Sequence, residues 1–128
     1  MTRILLDSNI LIDVIRGYAL TAEQVDQLQE SNELVISAIT YLELLGGCRN
    51  KQSMRSLENL IDNFDVLHVD AVISKRAIDL MKQYYLSHGL LLADALIAAT
   101  AIENDISLFT RNQKDFQFID GMVLFRFS

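Results

Sequence analysis

The chain has 128 residues, 51% of them hydrophobic, with no proline, a single cysteine and a formal net charge of −6. That length and apolar content describe one domain spanning residues 1–128 with one hydrophobic core, and they exclude intrinsic disorder. The lone Cys48 excludes an internal disulfide, no apolar run reaches the roughly 18 residues of a membrane span, and the N-terminal apolar run is too short for a secretory signal, so a cytoplasmic protein is expected.

Residues 3–6 (RILL) form a short apolar run suited to a buried strand, with Asp7 at its C-terminal end. Ser8 or Asn9 is placed to cap a helix that runs to Arg16 and stops at Gly17. A second helix is expected over residues 21–30 and a strand over residues 34–37 (LVIS). Thr40 then caps a helix that ends at Gly46, and Glu43, three residues on, has the spacing of a capping box. Cys48, just beyond, is an ordinary small residue rather than a nucleophile.

Residues 51–63 are expected to be helical and residues 65–69 (DVLHV) to form a third strand. Asp70 caps a long helix whose Ile73, Ala77, Leu80, Met81 and Tyr84 share one apolar stripe, ending at His88-Gly89. The next helix, residues 91–104, is apolar nearly all round, as a fully buried helix would be, except for Asp94. A fourth strand is expected over residues 107–110 and a short fifth over residues 122–125. Strands alternating with helices predict an α/β fold: a three-layer α/β/α sandwich around a mainly parallel sheet of four to five strands. In such sheets ligands bind beyond the carboxyl ends of the strands, where Asp7 and the residues after Thr110 fall.

Four acids stand against buried-looking sequence: Asp7, Glu43, Asp94 and Asp115. Each has an ordinary alternative. Asp7 suits a helix start, Glu43 a capping box, Asp94 the positive end of a helix dipole, and Asp115 a solvated loop. Asp13, Asp26, Asp62, Asp79, Asp105 and Asp120 have surface or capping explanations, and His68 and His88 have no recognisable nucleophile partner. Carboxylates crowded together repel one another, and hard cations such as Mg²⁺ or Mn²⁺ relieve that repulsion with oxygen ligands. The overall charge does not favour nucleic acid, yet without these four the chain holds 11 basic and 13 acidic residues, a balance of −2.

Taken jointly the four segments resemble the PIN-domain ribonucleases, and particularly the VapC-like toxins of bacterial toxin–antitoxin systems. LLDSNILID is similar to the family's first motif, with Asp7 and Asn9; SAITYLELLGG to the second, with Glu43; ADALIAATA, with Asp94, to the third; and LFTRNQKDF, with Thr110, Asn112 and Asp115, to the closing one. Order, spacing and chain length agree over nearly the whole sequence. Two departures are visible: Leu91 stands where many relatives carry proline, and Ser8 where threonine is common; the first weakens helix initiation and the second keeps the hydroxyl.

The resemblance implies a PIN-like fold and a metal-dependent endoribonuclease acting through a metal-activated water, with a 5′-phosphate product. Asp7 and Asp94 would ligate Mg²⁺ (or Mn²⁺) directly, and Glu43 and Asp115 would complete the site through water or a second ion. Asn9, Thr110 and Asn112 would hydrogen-bond carboxylates or the scissile phosphate, and Ser37 and Thr40 would orient Glu43. Arg49, Arg111 and Lys114 are candidates for RNA backbone contacts. The resemblance also implies an RNA substrate, a cognate antitoxin protein and a homodimer, with no membrane association. A non-catalytic RNA-binding or protein-interaction module is the alternative. Phosphoacceptor enzymes fit less well, because haloacid-dehalogenase-like phosphatases want aspartate where Asn9 stands and a receiver domain wants an acidic pair before its acceptor.

Overall fold

The computed structural model describes residues 2–127. Strand β1 (Thr2–Leu6) is followed by α1 (Ser8–Ile15) and α2 (Ala19–Ser31), then β2 (Asn32–Ser37), α3 (Ala38–Gly46) and α4 (Lys51–Ile61). Strand β3 (Asp65–Leu67), α5 (Ala71–His88), α6 (Leu92–Glu103) and β4 (Ser107–Phe109) complete the order, with a 3₁₀ turn over Gln113–Asp115. The four strands lie in the order β3-β2-β1-β4, and every pairing is parallel. The chain thus builds leftward from β1 through β2 to β3, then returns to place β4 on the other side of β1. The direction of winding reverses between β1 and β4, and that gap is the crevice in which doubly wound sheets bind ligands.

Alternation along the strands produces the three layers. Ile4, Leu6, Leu34, Ile36 and Phe109 face one side, where they meet Ile10 and Leu11 of α1, Val25 and Leu28 of α2, Leu44 of α3, and Leu57 and Ile61 of α4. Leu5, Val35 and Leu108 face the other and pack on Ile73, Ala77 and Leu80 of α5 and on Ala95, Ala98 and Ala99 of α6. The register sets Leu5 beside both Val35 and Leu108, so one face is continuous across three strands. Alanines along α6 let that helix lie close to the sheet, which brings its first turn to the strand ends.

Several boundaries differ from the sequence expectation, each for a local reason. Asp7, not Ser8 or Asn9, caps α1, because its carboxylate already accepts from the Ser8 backbone N–H. Ser37, the last residue of β2, caps α3 by accepting from the Ile39 N–H at 3.0 Å. Thr40 therefore lies inside the first turn of α3, and Glu43 closes no capping box. Strand β3 stops at Leu67, leaving His68 outside the sheet. Residues 122–125 form no strand; they make one parallel bridge, Leu124 to Leu108. Helix α6 begins at Leu92 and is not buried throughout, since Leu91 and Leu92 are 66% and 67% exposed. Among the described residues, no helix is long and apolar enough to cross a membrane.

Candidate active site

Asp7 occupies the crevice between β1 and β4. Its backbone N–H continues the sheet by donating to the Phe109 carbonyl at 3.0 Å, which sets its side chain beside Thr110. The carboxylate is 5% exposed and surrounded by donors. Oδ1 accepts from the Ser8 N–H at 2.8 Å, while Oδ2 accepts from the Thr110 hydroxyl at 2.8 Å and from Asn9 Nδ2 at 3.2 Å. Burial nevertheless raises the Asp7 pKa above its ordinary value, aided by the charge of Asp115, while the bonds from Thr110 and Ser8 oppose the rise.

The proton positions around Thr110 follow from its neighbours. Its oxygen also receives Asn9 Nδ2 at 3.0 Å and the Asn112 backbone N–H at 3.1 Å, so its two acceptor sites are filled and its one proton goes to Asp7. The Asn9 amide is oriented in turn, because its Oδ1 accepts from the Arg111 backbone N–H at 3.1 Å. Asn112 takes part through its backbone.

Glu43 joins the group from α3. Its Oε1 accepts from the Ser8 hydroxyl at 3.0 Å, shorter than the 3.4 Å from that hydroxyl to Asp7. Ser8, not Ser37 or Thr40, is therefore the hydroxyl that touches Glu43. Ser37 is committed to its cap, and the Thr40 hydroxyl is buried without a partner among the described residues. Sequence reading missed this role of Ser8, although its position beside Asp7 was a usable signal.

Asp94 enters from the first turn of α6, where the helix dipole favours its charge. Burial and the charges of Asp7, Asp115 and Glu43 outweigh that preference and push its pKa up to about 7. Asp115, at the end of the 3₁₀ turn, and Lys114 beside it are exposed; both line an open hollow of about 680 Å³ together with Arg111, Asn112, Gln113 and Gln117. On the other side, Glu43 stands at the rim of a largely apolar cleft of about 620 Å³ between α1, α3 and α4.

Asp7, Glu43 and Asp115, drawn from three other segments, thus all act on Asp94 at one end of the sheet. Among the described residues, no three His, Cys, Asp or Glu side chains form a ready-made cation-binding group. Mg²⁺ usually takes only one or two carboxylates and keeps several waters, so a donor set of hard, spaced carboxylates fits such an ion.

Arg111 and Asp13 depart from their expected places. Asp13 is 1% exposed rather than on the surface, and its Oδ2 accepts from the Thr21 hydroxyl at 3.0 Å and pairs with Arg111 Nε at 3.2 Å. Nothing in the local sequence marks that pair, whose members lie on α1 and after β4.

The chain is similar to known proteins over most of its length. The PIN-domain family profile matches residues 4–121. Ribonuclease VapC10 of Mycobacterium tuberculosis is 36% identical over 120 residues, covering 93% of this chain and 90% of that protein. Ribonuclease VapC1 of Haemophilus influenzae is 35% identical over 127 residues, covering 92% of each. A toxin–antitoxin complex from Klebsiella pneumoniae contains a chain of similar structure, with a TM-score of 0.78 at 31% identity over 93% of this chain and 94% of that one.

Proposed function

The chain belongs to the PIN-domain family and, within it, to the VapC ribonucleases, and on that premise we propose that it is a divalent-metal-dependent endoribonuclease acting as the toxin of a toxin–antitoxin pair. One observation carries the reading: carboxylates from four segments lie within electrostatic range at the carboxyl end of a parallel sheet, where burial and then the charges of Asp7, Asp115 and Glu43 raise the pKa of Asp94. Asp7 and Asp94 would hold Mg²⁺ or Mn²⁺, with Glu43 and Asp115 completing the site. When bound, such a cation supplies Lewis-acid polarisation of the phosphodiester and eases deprotonation of water.

The remaining work falls to the chain itself. Thr110 and Asn9 hold Asp7 in one orientation, and Ser8 steers Glu43 towards it. Lys114 and the 3₁₀ turn present a polar, open hollow beside Asp115 in which a phosphate backbone fits. Water attacks phosphorus in line with the leaving 3′ oxygen, the P–O3′ bond breaks, and a 5′-phosphate and a 3′-hydroxyl result. The Klebsiella relative is solved in a toxin–antitoxin complex, which supports an antitoxin protein as a partner of this chain. Exposed Leu86, Leu91 and Leu92, around the junction of α5 and α6, leave apolar surface suited to a homodimer.

The test is RNA cleavage by wild type and Asp94→Asn with Mg²⁺, with Mn²⁺ and with chelator. Cleavage by wild type alone, and only with metal, is the expected outcome. Equal cleavage by the variant, or cleavage indifferent to chelator, sinks the reading; tight RNA binding without turnover in either metal points to a non-catalytic module.

A further inference from the structure

Helix α1 presents Asn9 and Asp13 four residues apart, hence on one face. Arg111 holds that face at both points: its backbone N–H donates to Asn9 Oδ1 at 3.1 Å, and its Nε pairs with Asp13 Oδ2 at 3.2 Å. Asp13 is 1% exposed, and its other oxygen, Oδ1, has no partner among the described residues. The same carboxylate accepts from the Thr21 hydroxyl of α2, and the Asp13 backbone carbonyl accepts from the Tyr18 N–H at 3.0 Å. Asp13 is thus a junction of α1, the start of α2 and the segment after β4. Arg111 is flanked by Thr110, which donates to Asp7, and by Asn112, which leads into the turn that carries Asp115.

A buried carboxylate with an unpartnered oxygen is costly unless its charge is met, and the only basic group paired with it among the described residues is the Arg111 guanidinium. The half-exposed Arg111 side chain is therefore turned towards α1 rather than left free for solvent. We propose that Asp13 and Arg111 are positioning residues for the nuclease site: their ion pair docks the segment after β4 onto α1 and so fixes where Asp115 stands relative to Asp7 and Asp94. The pair works through Asn9 and Thr110, and neither member touches substrate. The proposal rests on the metal-nuclease reading and replaces the expectation that Arg111 contacts RNA.

The test compares wild type, Arg111→Lys, the double variant Asp13→Asn/Arg111→Met, and Asp94→Asn. The double variant removes both charges together and leaves no buried ion unpaired; Arg111→Lys keeps the charge should the double variant fold poorly. Thermal unfolding checks the fold, electron paramagnetic resonance of free Mn²⁺ gives metal affinity, and steady-state cleavage of an RNA oligonucleotide at saturating Mn²⁺ separates kcat from KM. The folded pair variants should bind Mn²⁺ about tenfold more weakly or worse and lose kcat with KM unchanged. Wild-type Mn²⁺ affinity and kcat in the folded double variant overturn the proposal, leaving a structural pair. A raised KM with unchanged Mn²⁺ affinity overturns it in favour of an RNA contact by Arg111. Asp94→Asn is the separate control: if it binds Mn²⁺ as wild type does, the metal site itself is misassigned and the positioning role falls with it.

Discussion

The Thr110 hydroxyl donates its only proton to Asp7 across 2.8 Å, joining residues 103 positions apart in sequence. Both other contacts of that oxygen come from N–H donors, so the direction of the bond is not adjustable. Thr110→Val keeps the shape and removes the donor; it leaves the Asn112 N–H without its acceptor and Asn9 Nδ2 with Asp7 alone. RNA cleavage should fall roughly 10–100-fold and stability by about 1–3 kcal/mol. Thr110→Ser should retain most of both. Equal activity in the Val and Ser variants would show that the hydroxyl does not orient Asp7.

Asp94 predicts a pH signature of the metal-free protein. Its folded pKa of about 7 lies above the ordinary 3.8, so the folded state binds a proton that the unfolded state releases between those values. The stability Asp94 contributes is present below about pH 4 and is lost as the pH rises through about 7. Asp7 is raised as well and adds in the same direction. Without metal, wild type should melt at progressively lower temperature across that window. Asp94→Asn should flatten the slope and melt higher than wild type at pH 7.5, measured by calorimetry in chelator. A variant with the wild-type slope removes Asp94 as its origin.

Cation binding should expel the proton that Asp94 holds. Affinity for Mn²⁺ should decline by up to about tenfold for each pH unit below 7, because only the ionised carboxylate is a ligand. Titration calorimetry in two buffers of different ionisation enthalpy reads the proton release directly. Identical heats in both buffers near pH 6.5 contradict it.

Thr40 separates packing from function. Its hydroxyl is buried with no partner among the described residues, so Thr40→Val removes an unsatisfied polar group at nearly constant volume. Stability should be unchanged or higher, and cleavage unaffected, whereas Ser37→Ala should cost about 0.5–2 kcal/mol by uncapping α3. Loss of cleavage in Thr40→Val at normal stability would restore its expected role in orienting Glu43.

What was legible in the sequence was whatever local patterning controls. Alternating strands and helices gave the sandwich, and strand ends gave the position of Asp7, because both depend on short-range periodicity. The SAIT segment offered two hydroxyls, and the pattern could not tell which one the extended backbone of β2 would deliver to the cap. The fifth strand failed because an apolar run of strand length pairs only where a neighbouring edge accepts it, here at Leu124 alone. Asp13 was given a surface or capping role because its partner, Arg111, comes from a distant segment, and long-range ion pairs leave no periodic trace. The same holds for the reach of Ser8 to Glu43.

The winding of the sheet has a consequence for biosynthesis. Asp7 leaves the ribosome 103 residues ahead of Thr110, a delay of roughly 5–20 s at ordinary elongation rates. Throughout that interval β1 lacks the neighbour that β4 will become, and Asp7 lacks its hydroxyl donor. A nascent chain carrying Asp7, Glu43 and Asp94 is consequently still unarmed. The fold withholds the finished cleft until β4 and the segment after it have been made.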